Sequence, residues 1–182
     1  MNRYNQGDWA GAMADYTRAI ELHPGYAFAY YLRGLARAGH RDLAGAVADY
    51  DRAIALFPDG PNRAAAYDNR GAARYRQGDL AGAVADYNRA IKLDPQDLSV
   101  YCGRGLARAD QGDPAGAIAD YNRAIELDPD YAYAYYNRGL AHKALGRKQQ
   151  AIADFQKYLA LITDPKRRRK AQRYLRELKR RR

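Results

Sequence analysis

One stretch of sequence recurs along the chain, and this recurrence limits the fold more than any other feature. The stretch "GDLAGAVADYNRAIKLDP" (78–95) is followed by "GDPAGAIADYNRAIELDP" (112–129). Further copies are "GDWAGAMADYTRAIELHP" (7–24), "DLAGAVADYDRAIALFP" (42–58) and the looser "GRKQQAIADFQKYLAL" (146–161). Every copy after the first is preceded by a second motif: in chain order "AYYLRGLAR", "AYDNRGAAR", "VYCGRGLAR" and "AYYNRGLAH". Anchored on Gly34, Gly71, Gly105 and Gly139, the spacings are 37, 34 and 34 residues. Repetition at such a period implies a stack of supersecondary units.

Each unit reads as two helices. Tyr30, Gly34 and Arg37 follow a helical period in the first, and Ala46, Tyr50 and Ala53 in the second. Gly78-Asp79 and Gly112-Asp113 supply turns, and Pro58, Pro95 and Pro129 stop the second helices. Small residues at Gly71, Ala83 and Ala90 allow close helix packing. A single hairpin of this kind buries one face only, so neighbours have to stack to make a core.

Over residues 1–163 the pattern resembles the tetratricopeptide repeat family, whose signature runs aromatic, Leu-Gly, Tyr, then Ala, aromatic, Ala and Pro. Here it stands as Tyr67, Arg70-Gly71, Arg74, Ala83, Tyr87, Ala90 and Pro95. The resemblance implies an all-α, right-handed superhelical solenoid of antiparallel helix pairs, with a concave groove lined by the first helices. It also implies protein or peptide ligands and no catalysis. The expected organisation is a partial first repeat (1–26), repeats at 27–60, 61–97, 98–131 and 132–163, and a basic capping helix at 164–182. Repeat three carries a three-residue insertion at its start, where Pro61 can open a helix.

Arg replaces the family's Leu at 33, 70, 104 and 138, and Arg or His replaces its Tyr at 37, 74, 108 and 142. An Asp follows sixteen residues after the first Arg of each unit, at 49, 86, 120 and 154. The fixed spacing favours an internal Arg–Asp pair repeated along the stack over a ladder for an anionic ligand.

Charge points the same way. The chain has a net charge of +10, but residues 1–164 carry twenty basic and twenty acidic side chains. All the excess sits in the tail, where residues 165–182 hold eleven Lys/Arg and one acid, Glu177. Within the tail Ala171, Tyr174, Leu175 and Leu178 form one apolar stripe, and Asp164 is placed to cap the helix that Pro165 begins. A lid on the solenoid is the favoured reading. Contact with nucleic acid or an anionic membrane through Arg167, Arg168, Arg169, Lys170, Arg173, Lys179, Arg180, Arg181 and Arg182 is the less favoured one, because the only tail aromatic, Tyr174, belongs to the apolar stripe.

Positions that vary between repeats are not needed for stacking and are the better binding candidates. By resemblance the groove stripe runs through Phe28, Tyr31 and Leu35 in repeat two, and Asp68 and Tyr75 in repeat three. It continues through Ser99, Cys102 and Leu106 in repeat four, and Tyr133, Tyr136 and Leu140 in repeat five. Asn69 and Asn137 match the family's carboxylate-clamping residues in kind. The clamp's Lys positions hold Tyr31, Asp68, Cys102 and Tyr136, so a clamp is not expected. A second function, self-assembly into a homo-oligomer, would use the incomplete first repeat, where Trp9, Ala12, Met13, Tyr16 and Ile20 are expected to lack part of their cover.

Enzyme chemistry finds little support. Cys102 has no His one helical turn away, and His23, His40 and His142 lie in three different units without metal-ligand spacing. Each Gly-Asp is a helix–helix turn and not a phosphate loop. The expectation is therefore no catalysis, metal, cofactor or small-molecule substrate. No stretch approaches the roughly eighteen apolar residues of a spanning helix, and the N-terminus lacks a signal-type apolar core, so a cytoplasmic protein, or a piece of a larger one, is expected.

Overall fold

The computed structural model describes residues 8–180 and, among them, contains ten α-helices and no strand. The chain divides into two compact units, Met1–Pro95 and Gln96–Arg182. In the first, α1 (Trp9–Leu22), α2 (Ala27–Gly39), α3 (Leu43–Leu56), α4 (Pro61–Gln77) and α5 (Leu80–Leu93) each pack on the next. In the second, α6 (Leu98–Asp110), α7 (Pro114–Leu127), α8 (Ala132–Ala144), α9 (Lys148–Leu161) and α10 (Pro165–Arg180) do the same. The expected hairpins are α2/α3 and α4/α5 in one unit, and α6/α7 and α8/α9 in the other. The partner expected ahead of α1 falls on residues 1–7, outside the described residues.

Glycine sets the distance between the two helices of a hairpin. A Cβ placed on Gly34 would come within 2.7 Å of the Tyr50 ring, and one on Gly105 within 2.7 Å of Tyr121. The corresponding approaches are 3.1 Å for Gly71 to Tyr87 and 3.1 Å for Gly139 to Phe155. The first helix thus lies directly on the aromatic face of the second, and Tyr50, Tyr87, Tyr121 and Phe155 are buried.

The turns follow from two further residues. Asp42, Asp79 and Asp113 cap the second helices by accepting the backbone N–H of Gly45, Gly82 and Gly116 at 2.8–2.9 Å, which satisfies one of the donors left free at a helix start. Just before each second helix the backbone turns left-handed, at Gly78 (φ 86°), Gly112 (φ 84°) and Gly146 (φ 69°). The α2–α3 turn puts Arg41 in that conformation (φ 67°). The inserted residues of repeat three lengthen a helix: α4 has 17 residues and starts on Pro61, where α2, α6 and α8 have 13.

α10 covers the end of the second unit. Ala171 and Leu178 are buried with Ala151, Phe155 and Tyr158, and Tyr174 and Leu175 pack against them. The Tyr174 ring stacks on Phe155 with centroids 5.4 Å apart. Burying Leu178 contributes about 1.5–3 kcal/mol. Asp164 accepts the N–H of Lys166 at 2.9 Å, and Arg168 donates to the carbonyls of Leu159 and Ile162 at the end of α9.

Candidate functional site

The replaced family positions form a repeated polar rung. Arg33 binds Asp49 (2.9 and 2.7 Å), and Arg70 binds Asp86 (2.8 and 2.6 Å). In the second unit Arg104 binds Asp120 (3.0 and 2.5 Å) and Arg138 binds Asp154 (3.0 and 2.6 Å). Arg37, Arg74 and Arg108 add a contact to the same carboxylate at 2.8–2.9 Å, and His142 approaches Asp154 at 3.8 Å. Each first Arg also lies over the ring three residues before it, at 5.3–5.7 Å from the centroids of Tyr30, Tyr67, Tyr101 and Tyr135. The ladder is internal, as the spacing suggested, and the four acids are buried.

The rungs also reach backwards. The remaining guanidinium nitrogen of Arg33 donates to Thr17 Oγ1 at 3.1 Å, that of Arg70 to Asp51, and that of Arg138 to Asn122 at 2.6 Å. Each acceptor lies on the second helix of the preceding repeat, so one side chain ties a hairpin together and ties it to its neighbour. Thr, Asp and Asn share only a place, directly after the tyrosine of the second helix, and that shared place is the only signal of the link in the sequence.

The proposed groove residues divide by depth. In the first unit Phe28 is exposed and meets the Phe57 ring edge-on at 4.9 Å, while Tyr31 is half-buried against Phe57 and Tyr50. Asn69 donates its amide to Tyr31 Oη at 3.1 Å and to the carbonyl of Ala65 at 2.9 Å. Leu35, Asp68 and Tyr75 are half-buried. In the second unit Ser99 and Tyr133 are exposed, and Leu106, Tyr136 and Leu140 are half-buried. Leu106, Ala109, Tyr121, Leu140 and Ala144 line an apolar hollow of about 410 Å³.

Two of these residues lie deeper than the others. Cys102 is buried, 2% exposed, because a short side chain stands where the other repeats carry Tyr or Asp. Asn137 is buried as well and folds back to donate to the Tyr133 carbonyl at 2.9 Å. Asn137 nonetheless lies along the wall of the hollow with Leu106 and Leu140. Burial, with Asp120 adding to it, pushes the Cys102 thiol up to about 12, so it stays protonated and unreactive at neutral pH.

The remaining candidates lie on α1 and α10. In α1, Ala12 is buried and Trp9, Met13, Tyr16 and Ile20 are half-buried. The Trp9 ring lies so close to α2 that a Cβ on Gly39 would meet it at 2.9 Å. Among the described residues of the first unit, the exposed large apolar side chains are Leu22, Tyr26, Phe28 and Leu56. In α10, Arg168 is half-buried and held by the α9 carbonyls. Arg167 pairs with Asp164 at 3.5 Å and Arg173 with Glu177 at 3.7 Å. Arg169, Lys170, Lys179 and Arg180 are exposed, while Arg181 and Arg182 lie outside the described residues. Sequence reasoning passed over Lys166 and Arg176, which a helical projection places beside Arg169 and Arg173; both are exposed.

Among the described residues, no group of His, Cys, Asp and Glu is placed to hold a metal ion, and no helix is long and apolar enough to cross a membrane.

Stacked helix pairs brought close at glycine and tied by repeated rungs define a helical-repeat solenoid. Tetratricopeptide repeats match residues 1–61, 71–112, 105–146 and 132–164. The chain belongs to the tetratricopeptide repeat family. Solved structures agree on the fold. MamA is 24% identical, over 87% of this chain and 91% of that one, with a TM-score of 0.81. YrrB, described as a TPR protein with an unusual peptide-binding site, is 20% identical over 93% and 86%, with a TM-score of 0.77. The first TPR of Spaghetti (RPAP3), bound to the HSP90 peptide SRMEEVD, is 26% identical over 65% and 92%, with a TM-score of 0.61. Among curated proteins there is no significant match.

Proposed function

We propose that the chain is a non-catalytic interaction module that holds a segment of another protein on the variable face of its first helices. The observation that carries this reading is the apolar hollow in the second unit, lined by Leu106, Ala109, Leu140 and Ala144, with Tyr133 exposed on the same helix face as Leu140. Apolar hollows with a few polar neighbours are the usual anchoring sites for bound side chains. The peptide on the Spaghetti repeat supports a peptide as the class of ligand. Asn69 and Asn137 are turned to partners within the chain, which favours an apolar segment over an acidic tail. In the first unit, Phe28, Tyr31, Leu35 and Tyr75 are the corresponding positions of α2 and α4.

The test is a peptide-display selection on the full chain, with Leu140→Glu as the counter-target. Peptides that bind the parent and fail on the variant support the reading. Enriched peptides that bind both equally would place recognition elsewhere.

A second reading, self-association, is favoured by the neighbouring exposed side chains Leu22 (59% exposed), Tyr26 (50%) and Phe28 (40%) in the first unit. Contiguous exposed apolar side chains mark interaction surfaces. Light scattering over a concentration series decides it: a mass that rises with concentration, and stops rising in Leu22→Gln/Tyr26→Ser, supports it, and a constant monomer mass rejects it.

A further inference from the structure

α10 carries more positive charge than a lid requires, and the charge is ordered. Lys166, Arg169, Lys170, Arg173, Arg176 and Arg180 fall at i, i+3, i+4, i+7, i+10 and i+14, within an arc of roughly 120° opposite the buried stripe of Ala171 and Leu178. All six are exposed. They form a ridge about 21 Å long at 1.5 Å per residue. The one carboxylate on this arc, Glu177, is already engaged by Lys143 at 3.5 Å and Arg173 at 3.7 Å. Lys166, Arg169, Lys170, Arg176 and Arg180 have no ion-pair partner among the described residues.

This arrangement works against the helix that carries it. Like charges three and four residues apart repel. The first turn holds Lys166, Arg167 and Arg168 and no acid, although the positive end of a helix dipole favours acids there. Capping is served by Arg168, Tyr174 and Leu178, none of which belongs to the ridge. A polyanion laid along the ridge would remove the repulsion.

We infer that this ridge of α10 binds the phosphate backbone of duplex DNA without sequence preference. A helix 10–12 Å across fits a major groove about 12 Å wide, and charges spread over a broad arc face both phosphate walls of the groove. A flat lipid surface would meet only the middle of the arc, and the apolar face of α10 is already buried in its own unit, leaving nothing to insert. Four of the six residues are Arg, whose planar guanidinium suits phosphate. No aromatic stands on the arc, so binding rests on phosphate contacts, which position a protein without reading bases.

The test is fluorescence anisotropy of the full chain with a mixed-sequence DNA duplex, repeated across about 50 to 200 mM salt. Binding should weaken steeply with salt. In Arg169→Gln/Lys170→Gln/Arg176→Gln the slope of log affinity against log salt should flatten by about 2.7, at roughly 0.9 per lost phosphate contact. A control, Arg52→Gln/Arg76→Gln/Lys92→Gln, removes the same charge outside α10 and should keep the parent slope. Thermal melting should show the ridge variant at least as stable as the parent, since like charges are removed; if it melts early, Arg176→Gln alone gives the same reading at about 0.9 of slope. No duplex binding by the parent, equal losses in ridge and control variants, or tighter binding to phosphatidylserine vesicles than to duplex at equal phosphate would each overturn the inference.

Discussion

Arg70 and Asp86 meet across a hairpin through two hydrogen bonds of 2.8 and 2.6 Å, with the carboxylate fully buried. Arg74 adds a third contact at 2.8 Å. Removing one partner leaves the other charge buried and uncompensated. Asp86→Ala should therefore lose about 3–5 kcal/mol in denaturant unfolding, and Arg70→Leu/Asp86→Leu clearly less, because an ion pair's desolvation offsets much of its attraction. A double variant as unstable as the single one would show that the pair stabilises outright.

Arg41 holds a left-handed turn conformation that Gly78, Gly112 and Gly146 fill elsewhere. A side chain in that region is strained by about 1–2 kcal/mol. Glycine costs about 0.5–1 kcal/mol through its own freedom in the unfolded chain. Arg41→Gly should raise stability by roughly 0.5–1 kcal/mol, seen as a higher melting temperature; a lower one would mean that the Arg41 side chain makes a stabilising contact.

The hairpin glycines should rank by the room beside them. Gly34→Ala and Gly105→Ala force a methyl to within 2.7 Å of a buried ring and should cost about 1–3 kcal/mol by overpacking. Gly71→Ala and Gly139→Ala start from 3.1 Å, and alanine's helix preference of about 1 kcal/mol should leave them near neutral. Urea midpoints for the four variants give the order directly.

His142 stands where three other rungs carry Arg. Burial holds its imidazole below the usual histidine range; Asp154 opposes that shift, and Arg138 and Arg147 add to it. A group depressed in the folded state contributes stability that is present above its unfolded value of about 6.5 and lost as pH falls below it. The chain should lose part of its stability on going from pH 7.5 to 5.5, and His142→Arg, charged throughout, should lose less. Identical losses in the two proteins would remove His142 from the acid response.

The periodicity made the helices, turns and intra-hairpin rungs legible in the sequence, since Gly34, Arg33 and Asp49 recur at fixed separations. What stayed hidden depends on neighbours that do not recur. Arg33 and Arg70 reach Thr17 and Asp51, two residue types with no common signature. Arg168 looked like one more tail charge, because nothing local predicts that its guanidinium fills the end of α9. Cys102 and Asn137 share a helix face with open positions, but depth depends on side-chain length and on a fold-back bond to Tyr133, which a projection along the helix does not contain.

Arg168 gives the array an end group in the polymer sense. It occupies the final carbonyls of α9, and the apolar ledge on which a further hairpin could have stacked is covered by α10. At this end of the array a further repeat therefore has to enter ahead of Asp164. A copy appended beyond α10 would meet a charged ridge, with no apolar surface to continue the core.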